Sequence, residues 1–198
     1  MSTVNSKDVA ALRQKTGLGM MDCKKALVAT DGDFEKSIEY LRKKGISKGE
    51  AVQGRSMGEG LVESYIHPGG RVGVLIEVGC ETDFVARADE FISMVHDLSM
   101  QIAAARPRYV KREEVSQAII DKEIEIYREQ LAEENKPADI IERIAKGKLD
   151  KFFKESCLVE QPFIKDTNKV VGDYVLEIAG RLKEHIEVRR FARFSLGD

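Results

Sequence analysis

The chain of 198 residues has no tryptophan, only three cysteines, three histidines and four prolines, and almost no charge excess of either sign. Each shortage excludes something. Cys23, Cys80 and Cys157 are widely separated and odd in number, so they write neither a disulfide framework nor a zinc spacing. Reduced thiols in a reducing compartment are the simplest reading. The first seven residues hold no apolar signal region, and no apolar run approaches membrane-spanning length, so the expectation is a cytoplasmic protein with no membrane contact. A formal net charge of −2 argues against a general polyanion binder, and no direct nucleic-acid contact is expected. His67, His96, His185 and Cys80 stand far from one another in sequence and match no metal signature. The glycines of residues 43–60 lack the Lys-Ser/Thr ending and the preceding strand of a phosphate loop. No catalytic residue, metal or cofactor is therefore expected, and the chain does not read as an enzyme.

What is present is a charge-rich globular composition long enough for one large or two small domains. A chain of this size can bury a core without staples. The charge is uneven: residues 1–54 carry a net +3, residues 55–180 a net −7 and residues 181–198 a net +2. Such a dipole orients an encounter with another protein, subject to screening by salt.

Along the chain the patterning predicts an α+β fold. Three short helices are expected over residues 7–16, 21–30 and 34–42. Asn5 or Ser6 caps the first and Gly17 ends it. Val9, Leu12, Ala26, Leu27, Phe34, Ile38 and Leu41 face a small shared core, and Asp33 caps the third helix. Residues 45–59, with several glycines and scattered charges, read as a linker with little to pack. A β-hairpin follows, with strands over 61–67 and 71–80 around Pro68-Gly69-Gly70. Val72, Val74, Ile76 and Val78 alternate, so one face is buried. Phe91, Met94, Val95, Leu98 and Ile102 form one helical stripe that ends near Arg106-Pro107. Further helices are expected over 113–135, from Pro137 to about Gly147, and around Leu149, Phe152 and Phe153. Thr167 or Asn168 caps a last helix carrying Val171, Tyr174, Val175 and Ile178. A candidate third strand covers 186–196, with Ile186, Val188, Phe194 and Leu196 on one face.

The corner between the second strand and the first core helix is the most informative segment. It places an acidic residue and a phenylalanine where side chains project. Thr82 or Asp83 can simply cap the helix while Phe84 packs beneath it. Alternatively Phe84 leaves the corner and enters a partner, with Thr82 still capping. Met20 and Met21, adjacent in a Gly-flanked stretch, cannot both turn inward easily; an exposed methionine suits a protein contact, a buried one fills the core. Arg189, Arg190 and Arg193 offer an RNA surface or a solvated strand face, and the half-apolar strand favours the second.

Two segments resemble signatures of the bacterial elongation factor Ts family. One is Glu77-Val78-Gly79-Cys80-Glu81-Thr82-Asp83-Phe84-Val85-Ala86-Arg87. The other is Leu12-Arg13-Gln14-Lys15-Thr16-Gly17-Leu18-Gly19-Met20-Met21-Asp22-Cys23-Lys24-Lys25-Ala26-Leu27. The terminal Arg189-Arg190-Phe191-Ala192-Arg193-Phe194 is similar to that family's C-terminal strand, and Gly79 departs from the larger polar residue many members carry. The resemblance implies a ubiquitin-associated-like three-helix module over 1–44, a linker over 45–59 and a dimerisation core over 60–198. In that core the 186–196 strand joins the hairpin to make an antiparallel sheet of about three strands, packed with helices. It implies a guanine-nucleotide exchange factor that promotes release of GDP and Mg2+ from elongation factor Tu. Thr82, Asp83, Phe84 and Val85 would dislodge the partner's Mg2+, and Arg13, Met20 and Met21 would dock the N-terminal module on the GDP-bound partner. It also implies a homodimer, noncovalent or joined through another cysteine, since Ala192 stands where a bridging cysteine is found. The open alternatives are a ubiquitin-associated-like adaptor and an RNA-binding accessory of translation.

Overall fold

Asn5 starts the first helix. Its Oδ1 accepts from the Lys7 N–H at 3.1 Å, satisfying one of the orphan amides of α1 (Ser6–Thr16). The computed structural model describes residues 4–16, 18–132 and 137–197; Gly17, the expected stop of α1, lies outside them. After α2 (Met20–Ala29), Asp33 caps α3 (Phe34–Glu50) by accepting from the Lys36 N–H at 3.0 Å. Val9, Leu12, Cys23, Ala26, Leu27 and Leu41 close a core of their own, with Phe34 and Ile38 packed against it. Each fully buried aliphatic side chain contributes about 1.5–3 kcal/mol, enough for three short helices to hold together.

The hairpin comprises β1 (Glu59–Ile66) and β2 (Val72–Cys80), turned by Gly69 and Gly70 at positive φ. A single turn, α4 (Asp83–Ala86), leads into α5 (Asp89–Ala105), which ends on Arg106 in the left-handed region just before Pro107. All five residues of the expected stripe, from Phe91 to Ile102, are buried. Then come α6 (Gln117–Ala132) and α7 (Ala138–Ser156). The described part of the expected 113–135 helix is split: Arg112–Glu114 is a 3-10 turn, and residues 133–135 lie outside the described set. Pro137 sits at the cap of α7, and Gly147 does not end that helix. One interior glycine costs roughly 1 kcal/mol, less than the burial of Ala145 and Phe153 on either side returns.

A small hairpin, β3 (Pro162–Phe163) with β4 (Asp166–Val170), precedes α8 (Val171–Leu182). Thr167 and Asn168 belong to β4, and Val170 holds the cap position of α8 with no side-chain bond, so neither expected cap is used. The last strand, β5 (Glu187–Ser195), pairs with β2, giving an antiparallel sheet in the order β1-β2-β5. Val74, Ile76 and Val78 press the sheet's inner face onto α5, against which α8 packs in the same main core.

Two further sequence expectations are overturned. Ile186 and Val188 do not share a face with Phe194 and Leu196. The β2–β5 register jumps between Glu77↔Arg190 and Val78↔Val188, leaving Arg189 as the extra residue of a bulge. Because side chains alternate with period two, one extra residue turns the remainder of β5 over. Ile186 and Val188 stay buried, whereas Phe194 and Leu196 are exposed on the outer face. The bulge also explains Gly79: a Cβ there would stand 2.8 Å from the Arg189 guanidinium. The strand end is therefore filled by Arg189, which donates to the Met57 carbonyl at 2.7 Å.

The second correction concerns residues 45–59. Their first stretch is the last turns of α3, which lie against α8. Glycine at 45 and 49 reads as flexibility, yet here, with Gly180 opposite, it allows two backbones to approach. A Cβ on Gly49 would overlap the Leu176 carbonyl, and one on Gly180 would overlap that of Gly45. Beyond Glu50, the carbonyl of Arg55 accepts from His185 Nδ1 at 2.7 Å, so the rest of the segment is also tied to the core. Among the described residues no helix is long and apolar enough to cross a membrane.

Candidate functional site

The corner after β2 is fixed from four directions. Thr82 takes an extended conformation, φ −125° and ψ 153°, and its Oγ1 accepts from the Val85 N–H at 3.3 Å, capping α4. Glu184 Oε2 accepts from the backbone N–H groups of Glu81 and Thr82, each at 3.1 Å, while Thr82 Oγ1 donates to Glu184 Oε1 at 2.5 Å. Glu81 Oε1 in turn accepts from the His185 N–H at 2.6 Å and from Arg55 at 3.5 Å. The Cys80 thiol, pushed up to about 11 by burial, stays protonated at neutral pH and donates to the Thr82 carbonyl at 3.2 Å.

On this fixed base the predicted residues separate by role. Val85 is buried in the main core and anchors the turn from beneath. Phe84 is 81% exposed and packs under nothing. Asp83 is exposed beside it and pairs with Arg87 at 3.4 Å across one helical turn. Thr82 therefore caps the helix, as both readings of the corner expect, but Phe84 does not pack beneath it and projects into solvent. Leaving a phenyl ring in water forgoes about 2–3 kcal/mol of burial, and the corner holds it there.

On the N-terminal module, Met20 and Met21 open α2 and are 54% and 62% exposed, so neither fills the core. Val28 lies exposed two turns further along α2, and Arg13 is exposed on α1. Asp22, between these groups, binds Lys44 at 3.2 Å and Lys48 at 3.6 Å, which hold its carboxyl below the usual range and tie α2 to α3.

The arginines of β5 have intramolecular partners. Arg190 Nε donates to Glu77 at 2.6 Å, Arg189 reaches the same carboxylate at 3.3 Å, and Arg193 donates to the Ala103 carbonyl at 3.4 Å. Arg190 above all holds the Glu77 carboxyl below its ordinary range. His96 is engaged by Glu63 at 2.6 Å, and His67 by the Tyr65 hydroxyl at 3.0 Å. No group of three His, Cys, Asp or Glu among the described residues is placed to hold a metal ion.

Comparison with known proteins bears on these surfaces. Residues 45–198 match the family model described as elongation factor TS. The chain belongs to the elongation factor Ts family. It is 53% identical over 195 residues to the elongation factor Ts of Moorella thermoacetica, covering 98% of this chain and 96% of that one. It is 51% identical to that of Desulforamulus reducens, covering all of this chain and 91% of the relative. With that of Desulfosudis oleivorans it shares 47% over the full length of both. The elongation factor Ts likeness therefore spans the N-terminal helices as well as the core.

Glu184 was not foreseen. Nothing in sequence spacing connects positions 82 and 184, and a glutamate just beyond a helix end reads as solvated. In sequence, His185 is only an imidazole with no metal signature around it. Only the antiparallel return of the chain from α8 into β5 brings both to the corner.

Proposed function

We propose that this protein is a guanine-nucleotide exchange factor that loosens GDP and Mg2+ held by elongation factor Tu, making and breaking no covalent bond itself. The observation that carries the reading is Phe84, a large aromatic held in water at a corner whose backbone is fixed by Thr82, Glu81 and Glu184.

Exchange requires a coupling free energy between two ligands of one protein. The factor must bind the partner conformation in which the metal and phosphate ligands are displaced better than it binds the GDP-holding one. Phe84 entering between partner elements supplies apolar burial in one state and not the other. A fully buried phenyl contributes about 2–3 kcal/mol, so further contacts complete the preference. Asp83 supplies one at small cost, because its exposed pair with Arg87 is worth at most about 1 kcal/mol and is exchanged readily for a cation of the partner. Arg13, Met20 and Met21 supply another, on residues 1–44, and residues 60–198 carry the corner. Between them the α3–α8 seam holds the two surfaces at a set spacing, which is what simultaneous engagement of one partner needs. By reciprocity, GDP weakens binding of this factor by the ratio in which the factor weakens GDP.

The outer sheet face supports a homodimer. Val62, Ile66, Leu75, Phe194 and Leu196 are exposed there together, and an uncovered apolar sheet face calls for a second layer. All three cysteines are buried, so such a dimer is noncovalent. With elongation factor Tu as partner, the protein works in the cytoplasm and needs no nucleic-acid contact of its own.

Release of a fluorescent GDP analogue from elongation factor Tu, timed with and without this chain, tests the function. Acceleration that saturates with added factor is expected; an unchanged rate overturns the reading.

A further inference from the structure

We infer that Glu184 is a positioning residue for exchange: it sets the backbone of the 81–85 corner so that Phe84 is presented to the partner, a role that rests on the exchange function proposed above. Its carboxylate accepts three hydrogen bonds from the corner, two from successive backbone amides and one from the Thr82 hydroxyl that also caps α4. A single anion receiving two adjacent N–H groups fixes their peptide plane, and the hydroxyl bond then orients the cap. Its hydrogen bonds go to Glu81 and Thr82, so its influence on Phe84 passes through the backbone.

The other end of the arrangement is as well determined. Lys183 closes α8 in the left-handed region, φ 61° and ψ 28°, and turns the chain back so that Glu184 faces the corner. The next residue, His185, donates its N–H to Glu81 at 2.6 Å and its ring N–H to the Arg55 carbonyl at 2.7 Å. The 81–82 and 184–185 segments, about a hundred residues apart in sequence, therefore exchange bonds reciprocally: the Glu81 and Thr82 N–H groups donate to Glu184, and the His185 N–H donates to Glu81. Two carboxylates at one corner are tolerated because each is occupied by donors, with Arg55 also on Glu81. Because α8 also carries Gly180, packed on Gly45 of α3, the helix that holds the N-terminal module is the one that ends at the corner clamp.

The test uses the full-length chain and variants Glu184→Ala, Glu184→Asp, Glu184→Gln and Phe84→Ala. Asp sets the carboxylate back by one methylene; Gln keeps an oxygen for the amides and an NH2 for the Thr82 hydroxyl. Saturating GDP-release rate is expected to fall about tenfold in the Ala and Asp variants, with the half-saturating factor concentration changed by less than about twofold, since misplacement of a reacting group lowers rate more than affinity. Gln should return the rate to within about threefold of the original, and adding Glu184→Ala to Phe84→Ala should lower it less than about twofold further. Amide hydrogen exchange reads the clamp without the partner: the Glu81 and Thr82 N–H groups should exchange about tenfold faster in Glu184→Ala while Leu98 and Ile178 keep their protection. Should the Ala variant not fold, Asp carries the same measurements. A Glu184→Ala or Glu184→Asp variant that keeps the original rate overturns the inference, whatever its amide exchange, while the loss in Phe84→Ala preserves the exchange reading. An undiminished effect of Glu184→Ala in the Phe84→Ala background overturns it too. Failure of the unaltered chain to accelerate release removes the exchange reading instead, and leaves the amide measurement to judge the clamp.

Discussion

Gly49 of α3 lies directly against the Leu176 carbonyl of α8, closer than any side-chain-bearing residue could come. Position 49 is thus a close contact between α3 and α8. Gly49→Ala gains roughly 1 kcal/mol of helix propensity but must push the two helix backbones apart, and overpacking of this kind costs about 1–3 kcal/mol. A net loss is expected, read as a fall of a few degrees in Tm by calorimetry. Gly147→Ala is its counterpart. Position 147 is exposed on α7 with open space where the Cβ would go, so that variant should gain up to about 1 kcal/mol. Opposite signs at two helical glycines separate the close approach from propensity.

Phe84→Ala removes a ring that stands 81% exposed. Stability should change by less than about 0.5 kcal/mol, as for surface positions generally. Stimulated GDP release should nonetheless slow about thirtyfold, the equivalent of roughly 2 kcal/mol of burial lost from the displaced state of the partner. Thermal unfolding and stopped-flow release on the same preparation give both numbers. A large drop in Tm would place the ring's role inside the fold.

Local patterning accounts for much of this architecture. The stripe from Phe91 to Ile102, the Asp33 cap and the alternation of Val74, Ile76 and Val78 all follow from periods of 3.6 and 2 and from orphan amides at helix starts. What escaped local reading depends on contacts distant in sequence. Gly45 and Gly49 have the composition of a linker and the function of a seam, because the deciding neighbour, Leu176, is far along the chain. The bulge at Arg189 is invisible in an alternating pattern, and it alone decides which way Phe194 faces. At the corner the sequence pointed to Thr82, Asp83 and Phe84 but grouped Val85 with them; burial assigns Val85 to the anchor. Glu184 required the tertiary fold.

Met20 and Met21 lie side by side on the first turn of α2, both more than half exposed. Replacing both by alanine leaves the module's core of Leu12, Ala26, Leu27 and Leu41 untouched, and alanine is the better helix former. Folding should be unchanged. Affinity for GDP-bound elongation factor Tu, measured by calorimetry, should weaken about tenfold or more, as about 1.4 kcal/mol of contact is lost. Equal affinity would confine binding to the corner.

Leu75 sits at the middle of the outer sheet face, 48% exposed and opposite Ser64 and Ala192, with Phe194 and Ile66 towards one end. In a two-fold symmetric dimer each substitution counts twice. Leu75→Glu forgoes about 2 kcal/mol of burial per chain and brings two like charges together, so the dimer should weaken at least about a thousandfold. Glu77 flanks the same face, paired with Arg190 and Arg189. Sedimentation equilibrium should show the original chain as a dimer and Leu75→Glu as a monomer of unchanged helicity. Because Phe84 and the methionines lie outside this face, monomers should still accelerate GDP release; a monomeric original chain would leave the apolar face without the cover argued for it.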